Sequence, residues 1–155
     1  MGFLVTPSAP AGTDVQWTFL QTLDLATESE SADYSAYDEL LVIGEDILGD
    51  ASGIVYLSTN GGGSTFRYSF IDGASNGEDT ARTGIGITAN ATKTRSGRWH
   101  INNTPYMSVR SLDNGSDASA NQYVVQGYNT AVAFTTIKFI GGHGGKANIY
   151  GRNFK

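Results

Sequence analysis

Apolar and polar positions alternate in short stretches along the chain, and glycine, asparagine, aspartate and serine interrupt them. Val15 to Leu25 sets Val15, Trp17, Phe19 and Leu23 on one face against Gln16, Thr18 and Thr22, the signature of a half-buried strand. Ala26 to Tyr37 is acidic and serine-rich and reads as a loop. Glu39 to Leu48 and Gly53 to Ser58 read as strands, and Thr59 to Gly63 as a turn. Thr65 to Ile71 alternates Phe66, Tyr68 and Phe70 against Arg67 and Ser69, and Asp72 to Arg82 reads as a polar loop. Short strands are expected at Gly84 to Thr88, Thr92 to Ile101, Pro105 to Ser111, Gln122 to Tyr128, Phe134 to Ile140 and Lys146 to Asn153, with loops at Leu112 to Asn121 and Gly141 to Gly145. Nine or ten strands at this spacing, with no amphipathic helix of three turns, predict an all-β fold. The expected form is an antiparallel β-sandwich, jelly-roll-like, with an extended N-terminal arm.

The expected boundaries are an arm over residues 1–13 and a single sandwich domain over 14–155. Pro7, Pro10 and Gly12 keep the arm out of a helix or a central strand. The expected core is Trp17, Phe19, Leu23, Leu41, Ile43, Val55, Leu57, Phe66, Phe70, Val109, Val125, Ile137, Phe139 and Ile149.

With 155 residues there is length for one sizeable core. No apolar run is long enough for a membrane helix, and the opening residues lack the basic and apolar regions of a signal peptide. The chain has no Cys, which excludes disulfides, thiol catalysis and thiolate zinc sites. Two His, His100 and His143, leave little for a metal cluster or a Ser-His dyad, so no catalysis is expected.

Charge is unevenly placed. The net is −5, but residues 1–66 hold ten carboxylates and no Lys or Arg, while residues 67–155 hold ten basic and five acidic groups. The overall acidity argues against nucleic-acid binding. The split calls either for internal pairing of the two halves or for opposite faces that steer assembly.

Candidate chemistry changes this picture little. Gly144-Gly145-Lys146 ends like a phosphate-binding loop, but Ile140 holds the first glycine position, Ala147 replaces Ser or Thr, and a strand follows. A glycine hairpin with His143 at its tip is the simpler reading. Asp113 and Asp117 lie at a spacing that could hold Ca²⁺ weakly, and Glu45, Asp46 and Asp50 form another carboxylate group; turn chemistry accounts for both, and no cofactor is expected. No carboxylate pair stands out for glycoside hydrolysis. Asn90, Asn102 and Asn114 open formal glycosylation sequons at a number that chance supplies. Trp99, among Arg95, Arg98 and His100, offers a surface platform for stacking on a sugar; the alternative is a Trp that covers the end of the sandwich or a subunit contact.

Three segments carry a family resemblance. Tyr37-Asp38-Glu39-Leu40-Leu41-Val42-Ile43-Gly44 leads to Val55-Tyr56-Leu57-Ser58-Thr59-Asn60-Gly61-Gly62-Gly63-Ser64-Thr65-Phe66. The chain closes with Thr135-Thr136-Ile137-Lys138-Phe139-Ile140, a glycine turn and Ala147-Asn148-Ile149-Tyr150-Gly151. This resembles a family of β-sandwich proteins in tailed-phage virions, over most of residues 15–152. In that family a strand opening on Tyr-Asp precedes an Asp-Gly-Gly-Ser-Thr-Phe hairpin, and a hairpin ending in Tyr-Gly closes the chain. Asn60 stands where that hairpin has Asp, which a turn tolerates.

The resemblance implies a structural or adhesive role on the virion exterior, without a cofactor, for a protein assembled in the host cytoplasm. A capsid decoration, or cement, protein is the expected form. The alternative is a host-recognition tail component or a carbohydrate-binding module on the same sandwich. Expected partners are further copies of the chain, as a trimer, and the major capsid protein or other virion proteins, with neither nucleic acid nor membrane. Phe3, Leu4, Val5, Pro7 and Pro10 of the arm are the expected contacts with a neighbouring subunit or the underlying shell.

Overall fold

A computed structural model describes residues 16–27, 30–49, 55–59, 66–72, 75–82, 84–87, 94–102, 107–115, 123–129 and 134–154; over 66–82, at 85 and 87, and over 107–129 only the backbone pairing is described. Eleven strands run in order through these residues: β1 (Thr18–Asp24), β2 (Glu39–Gly49), β3 (Val55–Thr59), β4 (Phe66–Asp72), β5 (Ser75–Arg82), β6 (Ile85–Ile87), β7 (Arg95–Asn102), β8 (Met107–Gly115), β9 (Tyr123–Asn129), β10 (Ile137–Ile140) and β11 (Gly142–Arg152). The described fold is all-β, and every ladder between these strands is antiparallel. The expected arm residues lie outside the described residues.

The strands form an eight-stranded sheet, β1-β11-β2-β7-β8-β9-β4-β5, and a three-stranded sheet, β10-β3-β6. Three of the pairings are nested: β2 with β11, β3 with β10 and β4 with β9. The middle pair lies in the small sheet and the other two in the large one. A chain folded back as one long hairpin over two sheets gives this nesting, the feature that jelly-roll windings share. Here β7 and β8 stand between the two nested pairs of the large sheet, and the sheets divide unequally.

The sheets meet at a core of Leu23, Leu40, Val42, Ile47, Val55, Leu57, Trp99, Ile101, Phe134, Ile137, Phe139, Ala147 and Ile149, with Leu25 and Tyr34 at its margin. Trp99 on β7 meets Phe139 on β10 edge to face, with ring centroids 6.1 Å apart, so two buried rings join one sheet to the other.

Three sequence readings are corrected by register. Leu41 and Ile43 are half-buried, while Leu40 and Val42 fill the core opposite Ile101 and Trp99. The run Leu40 to Ile43 is apolar throughout, so it carries no alternation from which to choose a face. On β1 the register shifts between Phe19, opposite Tyr150, and Gln21, opposite Ile149. That bulge turns Leu20 toward the core and leaves Phe19, 54% exposed, and the half-buried Trp17 outside the core that both were expected to fill, although Leu23 is buried. Ser75–Arg82, expected as a polar loop, is strand β5, paired with β4. Phe66, Phe70, Val109 and Val125 fall where only the backbone is described.

The glycine-rich turn also becomes strand. β11 starts at Gly142, and its ladder with β2 shifts register on both sides of Gly144. Gly145 has φ +87°, and a Cβ there would lie 2.5 Å from the carbonyl oxygen of Asp46, itself at φ 50°. Facing irregularities in β2 and β11, rather than a phosphate, account for this glycine.

The nested pairing brings the acidic first half against the basic second half. Lys146 lies between Asp24 and Glu45 in the ladder, and ion pairs join Glu30 to Lys138 and Glu39 to Arg152. The charge split is therefore met, at these positions, within one chain.

Truncating Phe139 to Ala should cost about 3–5 kcal/mol in denaturant melts, because its ring is enclosed by both sheets. Phe19→Ala should change stability by less than about 1 kcal/mol. Equal losses in the two variants would contradict the assignment of faces on β1.

Candidate functional site

Trp99 is 1% exposed and belongs to the core, which overturns its reading as a surface platform. Side chains alternate along a strand, so Arg98 and His100 point away from the face that Trp99 occupies. Arg98 is exposed opposite Ile43, and Arg95 is half-buried opposite Ile47. The three residues expected to act together are thus divided between two faces. Phe3, Leu4, Val5, Pro7, Pro10, Asp117 and the side chain of Asp113 lie outside the description.

The outer face of the large sheet holds a different cluster, built where β1, β11, β2 and β7 lie side by side. Register puts Arg152 opposite Glu39, Glu39 opposite Asn102, and Tyr150 beside Leu41 and His100. Glu39 is only 6% exposed. Its Oε2 accepts a hydrogen bond from Arg152 Nε and lies 3.3 Å from His100 Nε2. Trp17, half-buried just before β1, closes over both partners. Its ring stands 5.5 Å from that of His100, and the Arg152 guanidinium lies 4.5 Å from the centre of a Trp17 ring. The Phe154 ring lies 5.1 Å from the same guanidinium, and Phe154 is itself 53% exposed. Arg152 thus carries its charge between two aromatic rings and a carboxylate, where cation–π attraction and ion pairing act together.

Residues 37–39 also grip the backbone of the last strand. The Tyr37 ring lies so close to Gly151 that a Cβ there would be 2.6 Å from it. The Asp38 N–H donates to the Arg152 carbonyl, and the Asp38 carboxylate accepts from the Phe154 N–H at 2.9 Å. Two of the segments that carry the family resemblance, Tyr37-Asp38 and Tyr150-Gly151, are therefore in contact. Only a glycine at 151 leaves room for the ring.

Residues 30–37 continue along the side of the sandwich. The Ser31 N–H donates to the Ile137 carbonyl, the Ile137 N–H donates to Ser31 Oγ, and the Tyr34 N–H donates to the Thr135 carbonyl. The Tyr34 hydroxyl reaches Gln21 on β1 at 2.6 Å. This acidic segment, expected as a loop, spans from the edge of the small sheet at β10 to the edge of the large sheet at β1, and it occupies edge groups that would otherwise invite foreign strands. The Thr136 hydroxyl and then Lys138 hold the Glu30 carboxyl below its ordinary range.

What sequence reasoning missed is the joint role of Trp17, Glu39, His100 and Arg152. The available signal was the presence of Tyr37-Asp38-Glu39 and Gly151-Arg152 at the ends of strands rich in opposite charge. Among the described residues, no group of three or more His, Asp or Glu could hold a metal ion. No protein-family model matches the chain, and comparison with curated proteins and with solved structures gives no match.

Two outcomes test this geometry. Glu39→Gln should lower stability by about 2 kcal/mol, since it leaves the enclosed Arg152 without its anion; an unchanged denaturation midpoint would contradict the burial of that pair. Glu30→Gln should cost less than about 1 kcal/mol at neutral pH, because the pair is partly solvated. A lowered carboxyl pKa means that this contribution is present above the unfolded value and is lost as pH falls through the native one. The gap between Glu30→Gln and wild type, read from chemical melts, should therefore close below about pH 4.

Proposed function

We propose that the chain is a non-enzymatic structural protein of the exterior of a tailed-phage virion, a decoration subunit that binds the capsid as a trimer. The observation that carries this reading is spatial. The three segments resembling that virion family are far apart in sequence, yet β2 pairs with β11, β3 pairs with β10, and Tyr37 packs on Gly151. That the fold pairs these segments supports reading them as parts of one architecture. The outer face supports an adhesive role, because Phe19 and Phe154 are more than half exposed beside the half-exposed Trp17 and Tyr150. Trimer formation rests on the apolar residues Phe3, Leu4 and Val5 of the expected arm, since the charge split is at least partly satisfied inside the chain.

The test uses particles of a phage that encodes the chain, with its gene disrupted, and purified protein added back. The reading expects density at regular sites on the head in a cryo-EM map, a trimeric mass in solution, and weaker occupancy when residues 2–12 are deleted. Density confined to the tail, or retention on a glycan array, would replace it with the host-recognition reading. Turnover of a glycan, peptide or ester library above a heat-treated control would overturn the non-enzymatic assignment.

A further inference from the structure

Two rows of side chains lie next to each other on the outer face of the large sheet. Register sets Phe19, Tyr150, Leu41 and His100 in one row, and Thr22, Asn148, Ile43 and Arg98 in the next. The centre of this tract, Tyr150, Leu41, Asn148 and Ile43, carries no charge, and all four residues are half-buried. Charged residues stand at its borders: Glu39 and Arg152 at one end, Asp24, Lys146 and Glu45 at the other, and Arg98 along β7. Leu40 and Val42 already fill the core on the opposite face of β2. Leu41 and Ile43 therefore make β2 apolar on both faces, the pattern of a strand that is covered on both.

The chain ahead of β1 starts over this same face. β7 lies three strands from β1, about 14 Å at ordinary strand spacing. Trp17, one residue before β1, nevertheless brings its ring to His100 on β7 and stacks on Arg152 of β11. The segment that leads to it, residues 1–15, is the longest stretch outside the described residues. Residues 1–13 carry no charged side chain, which matches the uncharged tract, and they hold Phe3, Leu4 and Val5 in succession. Fifteen extended residues reach about 50 Å, far more than the four strands span, and Pro7, Pro10 and Gly12 allow bends on the way.

From these placements we infer that residues 1–15 fold across the outer face of the large sheet of their own chain and seat Phe3, Leu4 and Val5 on Leu41, Ile43 and Tyr150. β2 is then covered on both faces, and three apolar side chains that an extended segment would hold in water gain a partner surface. Phe19 borders the seat, and Trp17 marks where the segment comes down to β1. The inference goes beyond the virion role and does not rest on it; a trimer built through the arm would have to lift these residues from this seat.

Paramagnetic relaxation in the full-length protein tests it. The chain has no Cys, so Thr6→Cys gives a single attachment point for a nitroxide, directly after the apolar triplet. The amide signals of Leu41, Ile43 and Tyr150 should lose most of their intensity, while those of Ser75–Arg82 on β5, at the far edge of the sheet, keep theirs. Leu4→Asp changes only the segment and should restore the lost signals; Ile43→Glu should restore them from the other side, with far-UV circular dichroism confirming the fold. A mixture of isotope-labelled chains without nitroxide and unlabelled chains with it should show no loss. Unchanged signals at Leu41, Ile43 and Tyr150, a loss that persists in Leu4→Asp, or a loss seen only in the mixture would each overturn the seat. Loss only in the mixture would leave the trimer reading standing, and loss within the chain at a trimeric mass would uphold the seat and remove the arm from the trimer contact.

Discussion

The last strand has to lie between β1 and β2, and the remaining architecture follows from that insertion. Neither β1 nor β2 pairs with the other, and β11 supplies hydrogen bonds to both. Glu39 and Arg152, its defining partners, are 113 residues apart. Such a contact orders a long stretch of chain before it contributes, so the sheet depends on local features that favour the final pairing. Those features are visible around residues 37–39 and 151–154. Tyr37 packs on Gly151, Asp38 holds the following backbone, and Glu39 holds Arg152.

The uneven charge along the chain follows from the same nested winding. A hairpin folded end to end brings early residues against late ones, and an acidic half with a basic half makes that pairing attractive at Glu30 and Lys138, at Glu39 and Arg152, and along Asp24, Lys146 and Glu45. The exposed pairs contribute little individually. Their consistent direction disfavours a parallel or shifted arrangement, in which like charges of the first half would face each other. Glu39 differs because it is enclosed, and its charge is tolerable only with a partner present.

The large sheet also separates two kinds of aromatic residue. Trp99 and Phe139 fill the space between the sheets, while Trp17, Phe19, Tyr150 and Phe154 gather on the outside around a charged cluster. The outer rings pack on His100, on Arg152 and on one another at the rim of the sheet, where one side of each ring pair meets water.

The sequence by itself determined the class of fold. Short alternating segments punctuated by glycine and asparagine allow only strands and turns, and that reading needs no tertiary information. It also placed Leu23, Val55, Leu57, Ile137, Phe139 and Ile149 in the core, where the structure has them. Only the tertiary structure decided which face each strand turns inward. One bulge on β1 reversed Phe19, and a run of four apolar residues on β2 left Leu40 and Val42 indistinguishable from Leu41 and Ile43. Trp99 sits among charged neighbours in sequence yet points away from Arg98 and His100, because a strand alternates and local polarity does not report which face is covered. The cluster of Trp17, Glu39, His100 and Arg152 was beyond sequence reading for a related reason. Its members come from four separate segments, and their meeting depends on β11 lying between β1 and β2, a pairing that the residues around 37–39 and 151–154 favour but that no single segment specifies.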